Sequence, residues 1–113
     1  MKRIEAIIKP EKMEQLRLAL EEVGYPGLMI TKIDGHGKQK GVTRQWRGRE
    51  YKIDLLPKAK VEVIVPDKDV KKIVKAIVDN VHTGEVGDGK IFVSDVINAV
   101  RIRTSEEGDA ALL

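Results

Sequence analysis

Four segments of the chain carry the apolar patterns of β-strands. Residues 3–9 are rich in isoleucine and predict a buried strand. Residues 58–65 alternate Ala or Val with mostly Lys or Glu, which predicts a half-buried strand. A further strand is predicted at 28–33. The last strand begins at 90–93 and is expected to resume after Asp95 toward Arg103.

Two other segments space their apolar residues three and four apart and therefore predict α-helices. Pro10 favours the start of the first helix, and Gly24 is expected to end it. Pro66 precedes the second helix, with Asp67 as its N-cap. The two apolar stripes consist of Met13, Leu16, Leu20 and Val23, and of Val70, Ile73, Val74, Ile77, Val78 and Val81.

The predicted order is strand, helix, strand, strand, helix, strand, within one domain spanning residues 1–113. This doubled βαβ order predicts an α+β, ferredoxin-like fold, in which an antiparallel sheet carries both helices on one face. The other face of the sheet then needs a cover, which favours self-association. A monomer with a polar outer face is the alternative.

Composition places the chain among globular proteins. Charged residues make up 35% and hydrophobic residues 42%, and only one Trp, two Tyr and one Phe are present. The core is therefore expected to be built from Ile, Val, Leu and Ala. A net charge of +3 is compatible with an anionic ligand but is not the dense basic stripe of nucleic-acid binders. The chain has no Cys and no apolar signal segment, so a cytoplasmic location is expected.

A glycine-rich segment at residues 82–90 is the strongest chemical feature. Three glycines lie within six residues and are followed by Lys90. Such a turn can direct several backbone N–H groups at one anion, and the lysine adds a positive charge. The segment is not a P-loop, because Ile91 follows the lysine in place of Ser or Thr and a strand follows in place of a helix. We interpret it as a phosphate-binding loop, with a plain hairpin turn as the alternative.

A long connection at residues 37–55 joins the second and third strands. It contains an excess of Lys and Arg, the chain's single Trp (Trp46) and also Tyr51. Trp, Tyr and Arg are typical anchors of protein interfaces, so the connection is predicted to be a protein-binding arm. A solvated basic loop is the alternative. Within it, Gln39 has a carbonyl oxygen that suits a hard cation such as Mg²⁺.

Two arginines near the C-terminus offer further anion contacts. Arg101 and Arg103 are two residues apart. On a strand, both guanidinium groups would leave the same face, where they could bind phosphate. A solvated strand edge is the alternative.

Together these motifs resemble the P-II nitrogen-regulatory signal-transduction proteins over essentially the whole chain, including the branch associated with ammonium transporters. The segment from Thr83 to Val93 matches the family's nucleotide-loop signature without a gap. The run Trp46-Arg47-Gly48-Arg49-Glu50-Tyr51 is similar to the family's second signature, in the long loop.

The resemblance implies a homotrimer that binds ATP or ADP in the clefts between subunits. It implies that the glycine loop and the two arginines hold the phosphates, while Ile64 and Glu62 lie at the adenine. The full implied nucleotide set is Met29, Gly37, Lys38, Glu62, Ile64, Val86, Gly87, Asp88, Gly89, Lys90, Arg101, Ile102 and Arg103.

The resemblance further implies that Mg²⁺-ATP creates a site for 2-oxoglutarate. Gln39 would ligate the metal, and Lys58 would pair with the distal carboxylate of the acid. The implied acid-binding set is Gly37, Lys38, Gln39, Lys40, Gly41, Lys58 and Gly87. Because the two ligands share one metal ion, they are expected to bind with positive coupling.

The resemblance also implies that the long loop changes shape with the bound ligand and docks onto targets. The resemblance therefore implies control of an ammonium transporter or a nitrogen-assimilation enzyme, with peripheral membrane association while a transporter is bound. The implied partner-binding residues are Trp46, Arg47, Arg49 and Tyr51, with Arg47 at the tip. Tyr51 also matches a position that some relatives carry as a nucleotidylation site. The C-terminal segment is residues 101–113.

Two positions depart from the family pattern. Trp46 stands where the signature usually has Tyr, which changes the partner surface. Met29 stands where many relatives have a Thr that hydrogen-bonds the nucleotide. A thioether can pack against the ligand but cannot donate a hydrogen bond.

Two other functions are alternatives. One is a slow ATPase or phosphotransferase, although no catalytic triad or carboxylate pair is visible and His36 and His82 are isolated. At most a weak incidental ATPase activity is expected. The other is an RNA-binding ferredoxin-like domain, although the strands lack stacking aromatics apart from Phe92. No nucleic-acid partner is expected.

Overall fold

The structure is a computed structural model of the chain. It describes residues 1–25, 27–36, 42–46, 49–53 and 55–112, with the backbone alone described at 42–46 and 49–53. The elements are β1 (Lys2–Ile8), α1 (Met13–Glu22), β2 (Met29–Gly35), β3 (Val42–Trp46), β4 (Arg49–Ile53), β5 (Leu56–Val65), α2 (Val70–Val81) and β6 (Lys90–Asp95).

Four of these strands form one antiparallel sheet in the order β2-β5-β1-β6. With α1 and α2 they give the α+β, βαββαβ arrangement that the sequence predicts. β1 is central in the sheet, where Ile4 pairs with Val63 of β5 on one side and with Val93 of β6 on the other. The first strand of the chain therefore pairs with both β5 and β6.

The core lies between one face of this sheet and the two helices. Along β5 burial alternates residue by residue, as the sequence predicts. Val78 differs from the predicted stripe, because its side chain is 44% exposed on the outer side of α2. The buried apolar residues are Ile4, Ala6, Ile8, Leu16, Leu20, Tyr25, Ala59, Val61, Val63, Val65, Ile73, Ile77 and Val81.

The C-terminal end of α1 forms as predicted. Gly24 has a φ of +97°, the left-handed conformation that a glycine adopts at low cost. The Gly24 N–H donates to the Glu21 carbonyl at 3.0 Å, and the Tyr25 N–H donates to the Leu20 carbonyl at 2.8 Å. This pair of bonds is the Schellman motif, and it satisfies carbonyls that the end of the helix leaves unpaired.

The predicted cap of the second helix is wrong. Asp67 begins a 3-10 turn, Asp67–Asp69, and makes no side-chain capping bond to it. Its carboxylate lies 3.0 Å from the N-terminal ammonium group of Met1. A full positive charge next to the carboxylate provides a stronger partner than the partial charges of helix N–H groups.

A buried tyrosine joins the end of α1 to the start of α2. The Tyr25 side chain is only 8% exposed, and its hydroxyl donates a hydrogen bond to the Asp69 carboxylate. Burial, this hydrogen bond and the nearby charges of Asp69 and Asp109 raise the pKa of Tyr25 to about 12 from its usual 10.0. The neutral phenol is thus the form that the folded state favours.

Replacing Tyr25 with Phe is expected to lower the free energy of unfolding by about 1 kcal/mol at neutral pH, because the Asp69 carboxylate loses its donor. The raised pKa adds stability that is complete below pH 10 and is lost as the pH rises from 10 to 12. Urea denaturation at both ends of this pH range measures both effects. The decline of stability between pH 10 and 12 should be smaller in Tyr25→Phe than in the wild type. An equal decline in both proteins would contradict the raised pKa of Tyr25.

The last strand ends earlier than predicted. β6 stops at Asp95, and the chain does not resume as a strand toward Arg103. The Val96 N–H still donates to the Met1 carbonyl at 3.2 Å, after which the backbone leaves the sheet. The Ser105 N–H then donates to the Arg101 carbonyl at 2.7 Å, with Ser105 at a φ of +62°. A turn therefore replaces the predicted strand, because β1 begins at Lys2 and gives the later residues no strand to pair with.

The long connection contains two strands that the sequence reading treated as loop. β3 and β4 pair as an antiparallel hairpin in which Val42 lies opposite Ile53 and Trp46 opposite Arg49. β-branched and aromatic residues along both segments favour strands, and only two residues lie between the segments in the sequence. The described part of the predicted arm is therefore a two-stranded ribbon.

The face of the sheet away from the helices is mixed in character. Charged side chains from β1 and β5 lie among apolar ones, with Phe92 of β6 53% exposed. This mixture is compatible with a face covered by another subunit and also with a polar face exposed on a monomer. Self-association therefore stays a prediction. The residues of this outer face on β1 and β5 are Arg3, Glu5, Ile7, Leu56, Lys58, Lys60, Glu62 and Ile64.

Candidate functional site

The glycine loop, residues 82–89, connects the end of α2 to the start of β6. Its three glycines have positive φ values: 88° at Gly84, 101° at Gly87 and 94° at Gly89. Other residues adopt such angles only at a cost, so the glycines give the loop three left-handed positions within six residues. The strand that follows the loop is the one that the sequence predicted.

The carboxylate of Asp88 holds this loop together from the inside. One oxygen accepts the N–H groups of Thr83 at 2.8 Å and of Gly84 at 2.9 Å. The other oxygen accepts the Thr83 hydroxyl and lies 3.5 Å from the Lys9 ammonium group. These donors, the Thr83 hydroxyl foremost, hold the pKa of Asp88 far below its usual range. Asp88 therefore stays ionised and directs its charge into its own loop.

The end of the loop presses against β1. A Cβ atom at Gly89 would lie 1.6 Å from the Ile7 carbonyl oxygen, closer than any real contact. Only glycine allows this approach, and it brings the loop directly onto the backbone of the central strand. Lys90 then pairs with Ile7 in the β1–β6 register and lies exposed on the outer face of the sheet.

Lys58 links β5 to the loop. Its ammonium group donates to the Gly87 carbonyl at 2.9 Å across the end of the sheet. Lys58 lies near the start of β5, two residues after Leu56. The structure thus brings together two residues that the sequence reading assigned to the 2-oxoglutarate site, with Gly87 assigned to the nucleotide as well.

The residues predicted near adenine form a separate group on the outer face. Met29 of β2 lies opposite Glu62 of β5, and Ile64 follows two residues later on the same face. The Glu62 carboxylate also lies 3.4 Å from the ammonium group of Lys60. Met29 is half-exposed, so it offers an apolar surface on which a flat ring could pack.

The two arginines lie elsewhere. The glycine loop leads into the start of β6 at Lys90, whereas the arginines follow its end at Asp95. The two ends of this strand are about 17 Å apart. Arg101 contacts the Glu106 carboxylate at 2.6 Å and the Ala110 carbonyl at 3.0 Å. Arg103 is exposed in a turn. The prediction that both leave one face of a strand is wrong, because no strand forms there.

Several predicted site residues lie outside the described residues. These are the loop positions proposed to contact the metal ion and the acid, together with the predicted tip of the arm. For three other positions, which are predicted to bind a partner, only the backbone is described, in β3 and β4. The first group consists of Gly37, Lys38, Gln39, Lys40, Gly41 and Arg47, and the second of Trp46, Arg49 and Tyr51.

Sequence reasoning missed two residues that shape the glycine loop. Lys9, just after β1, reaches the Thr83 hydroxyl at 3.3 Å as well as Asp88. Ile7 supplies the carbonyl against which Gly89 packs. The chain places these residues about 75 positions before the loop, and only the antiparallel pairing of β1 with β6 brings them to it. The only local feature that marks this region is the pair Lys9-Pro10 directly after an apolar strand, and it does not indicate a contact with the glycine loop.

Comparison with known proteins identifies the family. The family model described as nitrogen regulatory protein P-II matches residues 1–106 of the chain. The chain belongs to the P-II family. P-II proteins are signalling regulators of nitrogen metabolism and not enzymes, which agrees with the reading of the sequence.

Individual relatives align over nearly the whole chain. Nitrogen regulatory protein P-II 2 of Methanothermobacter thermautotrophicus is 52% identical over 112 residues, which is 99% of this chain and 97% of that protein. Nitrogen regulatory protein P-II 1 of Escherichia coli is 53% identical, covering 99% of this chain and 100% of the relative. Nitrogen regulatory protein P-II of Klebsiella oxytoca is 52% identical with the same coverage.

Within the described ranges, neither α1 nor α2 has the length and apolar character needed to cross a bilayer.

Proposed function

We propose that this P-II protein senses ATP or ADP together with 2-oxoglutarate, and that it regulates an ammonium transporter or a nitrogen-assimilation enzyme. The observation that carries the proposal is the hydrogen bond from Lys58 to the Gly87 carbonyl. This bond connects a candidate carboxylate-binding lysine to a candidate phosphate-binding loop. One residue of the loop could therefore respond to both ligands.

The glycine loop fits a phosphate group. Its turns have the positive φ values that bring successive N–H groups to one side, and Lys90 adds an exposed positive charge at the end of the loop. The Thr83 and Gly84 amides are engaged by Asp88, so the amides from Gly87 onward are the ones proposed to bind the phosphates. Met29, Glu62 and Ile64 would then hold the adenine.

The split between the loop and the arginines supports a site shared by subunits. In one chain, Arg101 and Arg103 follow the far end of β6 from the loop. A second copy could bring its arginines to the loop of the first. Ile97 is 101% and Ile102 98% exposed, and such apolar residues favour burial against another chain. We therefore propose a homotrimer with nucleotide bound between neighbouring subunits.

The proposed acid site lies next to the loop. Lys58 would pair with the distal carboxylate of 2-oxoglutarate, and Gly87 would contact both ligands. Mg²⁺ would supply a hard cation that accepts oxygen ligands, with Gln39 as the side chain that holds it. A shared metal ion and a shared loop residue would couple the two ligands by about 1–3 kcal/mol.

The β3–β4 ribbon is the proposed output of the sensor. It extends from the segment that contains Gln39, so a ligand that engages this segment would alter the ribbon that follows it. Its two-residue connection includes Arg47, proposed to enter an ammonium channel. In that complex the protein would be a cytoplasmic protein held peripherally at the membrane. Tyr51 is also a proposed site of nucleotidylation.

Calorimetry tests the proposed ligands. Mg²⁺-ATP is expected to bind the wild-type protein, and 2-oxoglutarate to bind only when Mg²⁺-ATP is present. Lys90→Ala should weaken ATP binding about 10- to 100-fold, because a charge-assisted contact to phosphate is lost. Lys58→Met should abolish binding of the acid while ATP still binds. Lys72→Ala, on an exposed part of α2, is the matched control and should bind both ligands normally.

Binding of 2-oxoglutarate that ignores the nucleotide would count against this proposal. Sedimentation equilibrium tests the assembly, since a homotrimer has three times the chain mass of 12.6 kDa and a monomer does not. A pull-down from native lysate with ATP, ADP, or ATP plus 2-oxoglutarate tests the output. A partner whose capture changes with the ligand is the expected result.

A further inference from the structure

An ionised carboxylate within a proposed phosphate-binding loop poses an electrostatic problem. Asp88 lies between Gly87 and Gly89, the residues proposed to contact the phosphates. Its hydrogen bonds keep it charged at neutral pH. ATP carries several negative charges, and like charges a few ångströms apart repel strongly unless a positive charge compensates. Besides Lys90, which is proposed to face the ligand, the loop therefore needs a second cation that compensates the charge of Asp88.

Lys9 supplies such a cation from beneath the loop. Its ammonium group lies 3.5 Å from one Asp88 oxygen and 3.3 Å from the Thr83 hydroxyl. The Lys9 side chain is 14% exposed and that of Asp88 21%, so solvent screens this pair less than a typical surface ion pair. Lys90, by contrast, is exposed on the outer face of the sheet. The two lysines are thus suited to different tasks.

The support from β1 is both steric and electrostatic. The Ile7 carbonyl limits how far the loop can approach the strand, through its contact with Gly89. Lys9 lies two residues later and holds the other end of the loop, at Thr83. Asp88 connects these two points by accepting the Thr83 and Gly84 amides. The loop is therefore anchored at its end by Ile7 of β1 and at its start by Lys9, just after that strand.

We propose that Lys9 is a positioning residue that sets the nucleotide affinity by neutralising Asp88 and clamping the glycine loop onto β1. Lys9 acts through Asp88 and Thr83 and does not contact the nucleotide. This inference rests on the proposed nucleotide function and adds a residue that the predicted site does not include. It also changes the role of the Asp88 side chain, which orders the loop and does not contact the phosphates.

The test measures the affinities of the full-length protein for ATP, ADP and AMP by calorimetry. Lys9→Met is expected to weaken ATP binding about tenfold, ADP binding less and AMP binding least, because the exposed charge of Asp88 repels each ligand in proportion to its charge. Adding Asp88→Asn to Lys9→Met should restore much of the ATP affinity, since both charges are then gone and an acceptor oxygen remains. Lys12→Met, three residues further on, is the matched control.

Equal losses for the three nucleotides would overturn the electrostatic role, because a purely structural lesion ignores ligand charge. A further loss in the double variant would overturn it as well. A Lys9→Met protein that binds all three nucleotides like the wild type would overturn the inference while leaving the proposed function intact.

A second measurement requires no nucleotide. Amide hydrogen exchange at Thr83 and Gly84 should be about tenfold faster in Lys9→Met than in the wild type, because the clamp on the Asp88 carboxylate is weakened. Unchanged exchange would overturn the clamp. If the wild-type protein binds none of the three nucleotides, the proposed function and the affinity effect both fail. The exchange rates then decide by themselves whether Lys9 orders the loop.

Discussion

Replacing Gly89 by Ala is expected to lower the free energy of unfolding by about 3 kcal/mol or more and to abolish the proposed nucleotide binding. Two costs combine at this position. The residue has a φ of +94°, which an L-residue adopts at a cost of about 1–2 kcal/mol. The added Cβ would also lie 1.6 Å from the Ile7 carbonyl oxygen, and backbone atoms of a central strand cannot move away as a flexible side chain would.

Gly84→Ala separates these two costs. Gly84 has a similar φ of +88°, but an added Cβ would meet only the His82 side chain, at 3.8 Å. The free energy of unfolding of this variant should therefore fall by about 1–2 kcal/mol, the cost of the positive φ alone. Urea denaturation at one fixed protein concentration compares the two, since assembly would make stability depend on concentration. Equal losses in the two variants would show that the loop does not press against β1 in solution.

Ile77→Ala is expected to lower the free energy of unfolding by about 2–5 kcal/mol, which is the second large effect. Ile77 is 1% exposed and lies in the core between α2 and the sheet. Removing its branched side chain leaves a cavity that the surrounding β-strands cannot close, because their pairing fixes their positions. Such a loss is a large part of the total stability of a domain of this size.

Val78→Ala is the matched control for this change. Val78 is the next residue in the same helix but points outward, and alanine is the better helix former. The free energy of unfolding should change by no more than about 0.5 kcal/mol. The same denaturation experiment measures both variants. A substantial loss in Val78→Ala would mean that another element or another subunit covers this side of α2.

The glycine loop combines what local sequence encodes with what it does not. Three glycines followed by Lys90 and a run of β-branched residues predict a tight loop that leads into a strand, and the structure has both. The role of Asp88 was not readable in the same way. A carboxylate among glycines suggests a contact to a ligand, whereas its four donors come from Thr83, Gly84 and Lys9, which lies just after β1.

After Asp95 the local sequence predicts a strand that does not form. A run of apolar and β-branched residues after Asp95 satisfies the local preferences for a strand, yet the chain turns away from the sheet. Pairing needs a neighbour, and β1 provides partners only as far as Lys2. Propensity alone therefore extended the prediction beyond the end of the strand that would have to support it.

The sequence by itself determined the two helices and the four strands of the larger sheet, apart from where β6 ends, together with the alternating burial along β5 and the turn at Gly24 that ends α1. These features follow from periodicity and backbone preference, which act between residues close together in the chain. The tertiary structure alone decided that Ile7 and Lys9 support the glycine loop, that Lys58 reaches Gly87, and that Arg101 lies beyond the far end of β6. These contacts depend on strand order and register, which result from packing the whole chain, and Lys9 and Thr83 meet although 74 positions separate them.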